Sequence, residues 1–207
     1  MEQYETEEQQ VEAIKRFWKE NGLSLVIGAL LGLGGLLGWR YYNDSQIEAK
    51  EQASFAYEKA SEELIKGETG FGQAKSFIDS HSDTGYAILM ALEMTQQAIE
   101  RKDLVEAVKQ LEFVVINAKL SAVQSIAQLR LARIQIEQGE FELALASADK
   151  VSDSAFKGQS QEVKGDVYLA QELFDKARAA YSAALETNNR DQVLKMKLDN
   201  LAVAANG

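Results

Sequence analysis

Catalysis needs a reactive group and a neighbour that activates it, so such pairs are the place to begin. The only histidine, His81, lies in DSHSDTG (79–85) among hydroxyls and two acids. A metal site would need further nitrogen or sulfur ligands at suitable spacing, and the chain has neither a second histidine nor a cysteine. His81 is expected to be an exposed turn residue. Serines are numerous, but no G-x-S-x-G elbow or second histidine is present to activate one. Glu62-Glu63 and the run Glu5, Glu7 and Glu8 read as solvated helix faces rather than acid–base pairs. LGLGG (31–35) lacks the Lys-Ser/Thr that completes a phosphate loop. The reading is therefore of a protein that is not an enzyme, with no catalytic or metal-ligating residues and no cofactor.

What remains is the chemistry of contact. In NGLSLVIGALLGLGGLLGWRYYN (21–43), no charge interrupts Leu23 to Trp39, and Trp39, Tyr41 and Tyr42 follow. A helix rises about 1.5 Å per residue and a bilayer core is about 30 Å thick, so roughly 20 apolar residues span it. The aromatic trio suits the headgroup level. A cleaved export signal fits poorly: GWRYY offers bulky groups where a peptidase needs small ones, and the preceding 20 residues carry six glutamates. Six glycines between Gly22 and Gly38 would each weaken a soluble core helix by up to ~1 kcal/mol. The segment reads as one uncleaved membrane span. Gly28-x-x-x-Gly32 and Gly34-x-x-x-Gly38 are candidate stripes for close packing of a partner helix. Val11, Ile14, Phe17 and Trp18, beside Lys15, Arg16 and Lys19, form an amphipathic face ahead of the span.

Composition narrows the rest. The chain has 207 residues and no proline, which suits helix almost throughout. The net charge of −10 argues against nucleic acid, which needs a Lys/Arg footprint. Three basic residues precede the span (Lys15, Arg16, Lys19) and two follow closely (Arg40, Lys50). That shallow bias favours a cytoplasmic N-terminus.

Beyond the span, Ile47, Ala53, Ala56, Tyr57, Ala60 and Leu64 recur at helical steps, with GETGFG (67–72) read as a turn. Helix-period segments follow at 72–80, 85–100, 103–117, 120–138, 141–150, 159–171, 174–187 and 191–204, and no convincing strand appears. LARIQIEQGEFELALASADKV (131–151) aligns with KGDVYLAQELFDKARAAYSAA (164–184) at a spacing of 33. Ala132 meets Gly165, Phe141 meets Phe174, and Ala144 meets Ala177. Leu104 and Ala107 repeat the pattern upstream, and Phe71 and Ala74 do so again. Ala107 and Ala144 are 37 apart, which predicts one longer linker. The repeated unit is a helical hairpin, which buries its apolar face only by stacking on neighbours.

These residues resemble the tetratricopeptide repeat, a 34-residue helical hairpin. The family's conserved tryptophan and proline are missing; Phe156 and Asn189 stand where the proline would be. The fold class is all-α: one N-terminal transmembrane helix, then a tetratricopeptide-like solenoid. The expected divisions are an acidic segment (1–21), the span (22–42), a linker helix with a degenerate first repeat (43–84), and repeats ending in a capping helix (85–207). The resemblance implies that the first helix of each hairpin lines a groove. Here that face would contain Leu92, Gln96, Ile99, Arg133, Ile136, Glu137, Asp166 and Leu169.

The whole plan, from YETEEQQVEAIKRFWKENG (4–22) through GWRYYN (38–43) to the degenerate repeats, resembles the YfgM family of bacterial inner-membrane proteins, ancillary subunits of the SecYEG translocon. That resemblance implies a periplasmic repeat domain, association with SecYEG and with the membrane-tethered periplasmic chaperone PpiD, and a role in handing on secretory polypeptides. The alternative is a repeat scaffold for another inner-membrane or envelope assembly without client handling.

Overall fold

The computed structural model describes residues 7–187 and 191–204. Tyr4, Glu5 and Thr6 of the acidic segment, Asn189 and Ala205 lie outside them, as do the side chains of Glu7 and Glu8. The described residues form nine α-helices and no strand. They are α1 (Glu7–Leu64), α2 (Glu68–Ser80), α3 (Gly85–Glu100), α4 (Leu104–Asn117), α5 (Ser121–Glu137), α6 (Phe141–Asp149), α7 (Lys157–Ala170), α8 (Phe174–Thr187) and α9 (Gln192–Ala204). A 3-10 turn, Ser154–Phe156, precedes α7. Two compact units result, Met1–Gln52 and Ala53–Gly207.

The first unit is the leading part of α1. Its apolar side chains from Leu23 to Trp39 are exposed, and it is the one described helix long and apolar enough to cross a membrane. A Cβ added at Gly28, Gly32, Gly34 or Gly38 would meet nothing within 4 Å among the described residues. The indole of Trp18 lies against Gly22.

The second unit is a run of helical hairpins with three apolar clusters in chain order. The first joins Ala60 and Leu64 of α1 to Ala74 and Phe77 of α2, Met90 and Met94 of α3, and Leu111 and Val114 of α4. The second joins Leu129 and Ala132 of α5, Ala144 and Ala148 of α6, and Val163 and Val167 of α7. The third gathers Ala177, Tyr181 and Ala184 of α8 with Leu194 and Leu201 of α9. Each large side chain so buried contributes roughly 1.5–3 kcal/mol. The small residues Ala74, Ala107, Ala144 and Ala177 are all fully buried, as a close helix crossing requires.

Three hairpin turns use one backbone device. Lys102, Gly139 and Glu172 take left-handed φ values of 62°, 76° and 60°. At each, the residue that follows donates its N–H back five residues: Asp103 to the Ala98 carbonyl (2.8 Å), Glu140 to that of Gln135 (2.8 Å), and Leu173 to that of Tyr168 (2.8 Å). This is the Schellman C-cap, which satisfies carbonyls left over at a helix end.

The structure corrects four expectations. GETGFG is not all turn: α2 starts at Glu68 and only Gly67, at φ 113°, stands outside it. Gly70 sits inside the helix because a Cβ there would collide with the Glu63 carbonyl at the end of α1. The 37-residue spacing does not come from a longer linker. Residues 118–120 are a shorter connection than 150–156, and the extra length lies in α4 and α5, with 14 and 17 residues against 9 and 14 in α6 and α7. His81 is half-buried rather than exposed, stacked on Phe77 at 4.5 Å between centroids. Ile47 is exposed and does not share the burial of Ala53, Ala60 and Leu64.

Candidate functional site

The first helices of successive hairpins are α3, α5 and α7, and the space between neighbours is where a groove would open. Between α3 and α5 there is a cavity of about 480 Å³. Thr95, Gln96, Ile99 and Glu100 line it from α3, and Arg130, Arg133, Ile134 and Glu137 from α5. Ile134 and Thr95 are buried and form its floor, while Ile99 keeps 43% of its surface exposed. The glutamine amides of Gln96 and Gln97 each donate to one oxygen of Glu100, both at 3.1 Å. Arg130 and Arg133 are exposed, and among the described residues neither forms an ion pair.

Four of the eight groove residues read from the sequence, Gln96, Ile99, Arg133 and Glu137, meet in this cavity. The other four lie elsewhere. Leu92 packs on the first apolar cluster and Ile136 on the second. Leu169 is partly exposed but does not line the cavity. Asp166 is drawn into a polar cluster under α9. Its carboxylate accepts from Tyr181 Oη at 2.6 Å and from Lys197 Nζ at 2.7 and 2.9 Å. Lys197 also reaches Glu162 Oε1 at 2.7 Å. Burial and the Asp166 hydrogen bond hold the Tyr181 phenol well above its ordinary range. Burial works against the charge on Lys197, but the hydrogen bonds from its ammonium to Asp166 and Glu162 outweigh that and raise its pKa.

Sequence reading missed Thr95, Glu100, Arg130 and Ile134. Glu100 and Arg130 lie one turn along the same faces from Gln96 and Arg133, so extending each stripe by three or four residues would have found them. Thr95 and Ile134 sit beside the stripe and carry core-like burial that single-face periodicity assigns to packing.

A second cluster fastens the start of the repeats. Tyr57 donates a short hydrogen bond to Glu93 Oε1, and Ser61 Oγ donates to Glu93 Oε2 at 2.7 Å. The Tyr57 ring packs on Tyr86 and Phe77, with centroids at 5.5 and 6.1 Å. Burial, then Glu93, pushes the Tyr57 phenol up to about 12.

A tetratricopeptide repeat-like domain model matches residues 15–203. The chain is 31% identical over 206 residues to an ancillary SecYEG translocon subunit of Escherichia coli (strain K12), covering 98% of this chain and 100% of that protein. It is 32% identical over 206 residues to the protein of that name from Neisseria gonorrhoeae, with 94% and 97% covered. A third, from Haemophilus influenzae, is 29% identical over 198 residues with the same shares covered. With its hairpins, its apolar N-terminal helix and near full-length matches, the chain belongs to the tetratricopeptide repeat-like YfgM family, whose relatives here are named ancillary SecYEG translocon subunits.

Proposed function

We propose that this chain is a membrane-anchored interaction module that works at the SecYEG translocon and holds polypeptide segments in the groove between α3 and α5. The observation that carries the reading is that groove, whose apolar floor and charged rim suit contact with a chain segment. The names of the relatives supply the translocon. In this reading residues 1–21 are cytoplasmic, 22–42 span the inner membrane, 43–84 form a linker helix and first repeat, and 85–207 lie in the periplasm. Gly28, Gly32, Gly34 and Gly38 face a partner helix in the bilayer, which accords with the open space beside them among the described residues. Secretory polypeptides are the clients, and a PpiD-like tethered chaperone is the partner that receives them.

Topology and partner can be read from one set of strains. The chain has no cysteine, so single cysteines at Gln10 and Ser182 report sidedness to a membrane-impermeant maleimide. Labelling at Ser182 alone is expected, and labelling at Gln10 alone overturns the orientation. Tagged full-length protein in mild detergent is expected to retain SecYEG, and to lose part of it when Gly34 and Gly38 become leucine. Recovery of a different envelope complex without SecYEG would favour the scaffold reading.

A further inference from the structure

Position by position, the repeat offers an internal guide to what the groove takes. Gln96, Arg133 and Asp166 are equivalent residues, eight before Leu104, Phe141 and Phe174. At Asp166 the structure contains its own occupant: α9 lies on the third cluster through Leu194 and Leu201 and presents Lys197 to Asp166 and Glu162. A helix-face carboxylate is thus met by an incoming cation carried on an apolar segment. In the α3–α5 junction the residue in the Asp166 role is the neutral Gln96, and the cations stand on the facing helix α5. Arg133 and Arg130 stand at the rim without an ion pair among the described residues, over the apolar Ile99 and Ile134. Glu100 keeps its charge, but its two oxygens accept from the neutral amides of Gln96 and Gln97 on its own helix and bond neither arginine. Glu137 lies one turn from Arg133, outside ion-pair distance.

We infer that the groove selects acidic polypeptide segments, in which carboxylate side chains pair with Arg130 and Arg133 while an adjoining aliphatic side chain covers Ile99 and Ile134. This rests on the groove being a polypeptide site at all. The arginine fork matches a carboxylate in two parallel hydrogen bonds. A lysine-bearing segment finds Glu137 as the one rim carboxylate without a hydrogen-bonded side-chain partner among the described residues, against two guanidinium groups that repel it.

The test uses the full-length protein in neutral detergent and two fluorescein-labelled, C-terminally amidated peptides, one with a Glu-Leu-Glu core and one with Lys-Leu-Lys. Amidation leaves only side-chain carboxylates to be read. Fluorescence anisotropy is expected to show the acidic peptide binding roughly tenfold tighter, as two exposed pairs supply. The preference is expected to reverse in the Arg130→Glu, Arg133→Glu variant, whose altered residues are exposed and leave the fold intact. Equal affinity for the two peptides, or a preference that survives the double reversal, overturns the inference. An Ile99→Gln variant separates the two levels. If it weakens both peptides while charge makes no difference, the groove stands and acidic selectivity falls. If neither variant changes binding of either peptide, the groove reading falls and the inference with it.

Discussion

Gln96, Arg133 and Asp166 occupy one position of the repeat, yet the space beside them is open in one place and filled in another. Between α3 and α5 it is a cavity of about 480 Å³ with arginines on its rim. Between α7 and α9 it is closed by Lys197, which bridges Glu162 and Asp166 while Tyr181 ties the same carboxylate to α8. At the other end Tyr57 and Ser61 fasten α1 to Glu93 of α3. The difference teaches that a solenoid closes its ends with its own polar side chains and leaves an interior junction available. Stacked repeats need such end caps, because a terminal hairpin otherwise exposes the face that its neighbour would cover.

That contrast can be broken by mutation, and the largest effect is expected at the closed end. A Cβ at Gly165 would collide with the Tyr181 ring. Gly165→Val should therefore lower stability by about 3 kcal/mol through overpacking, read as a fall in the thermal midpoint of the full chain by circular dichroism. An unchanged midpoint would mean that α7 and α8 do not cross as described. The equivalent-position pair comes next. Asp166→Ala removes the acceptor of the buried Tyr181 hydroxyl and the half-buried Lys197 ammonium and should cost ~1–3 kcal/mol. Arg133→Ala, at the same repeat position on an open rim, should stay within ~0.5 kcal/mol. Similar losses in both would erase the distinction between the two regions.

The turns give a smaller effect of either sign. Lys102→Gly and Glu172→Gly relieve left-handed backbone at non-glycine residues and should each stabilise by ~0.5–1 kcal/mol. Gly139→Ala should destabilise by a similar ~1 kcal/mol. A Gly139→Ala variant as stable as the parent would contradict the shared cap.

The last effect is alkaline. Tyr57, raised to about 12 in the folded chain, and Tyr181 and Lys197, also raised, stay protonated after their unfolded counterparts begin to lose protons. Groups with raised folded pKa values contribute stability that is complete below their unfolded values and lost as pH climbs through the folded ones. Stability should therefore begin to fall near pH 10 and continue falling towards 12. Tyr57→Phe should flatten part of that decline, and a decline of the same slope in this variant would remove Tyr57 from the account.

The helices and their repeat register were legible because apolar residues recur at helical steps and because Phe141 and Phe174 mark equivalent starts. Of the three left-handed turn residues only Gly139 announces itself; Lys102 and Glu172 take the same conformation because the hairpin around them demands it. GETGFG looked like a turn because glycine breaks helices, but Gly70 serves a close approach that becomes visible only when α1 and α2 are packed. The groove was half legible. Arg133 and Glu137 lie on an exposed stripe, whereas Asp166 carries the same pattern and is taken by a lysine 31 residues away. A repeat resemblance treats equivalent positions alike, and the charge on α9 is what makes them differ.

The most direct test compares two equivalent residues, Ile99 at the open junction and Leu169 near the closed one. A photoreactive amino acid is placed at each in turn in the full-length protein, in membranes carrying a radiolabelled secretory polypeptide arrested in the translocon. The account predicts a crosslink to the arrested polypeptide from Ile99 and none from Leu169. Equal crosslinking from both, or crosslinking from Leu169 alone, would contradict it.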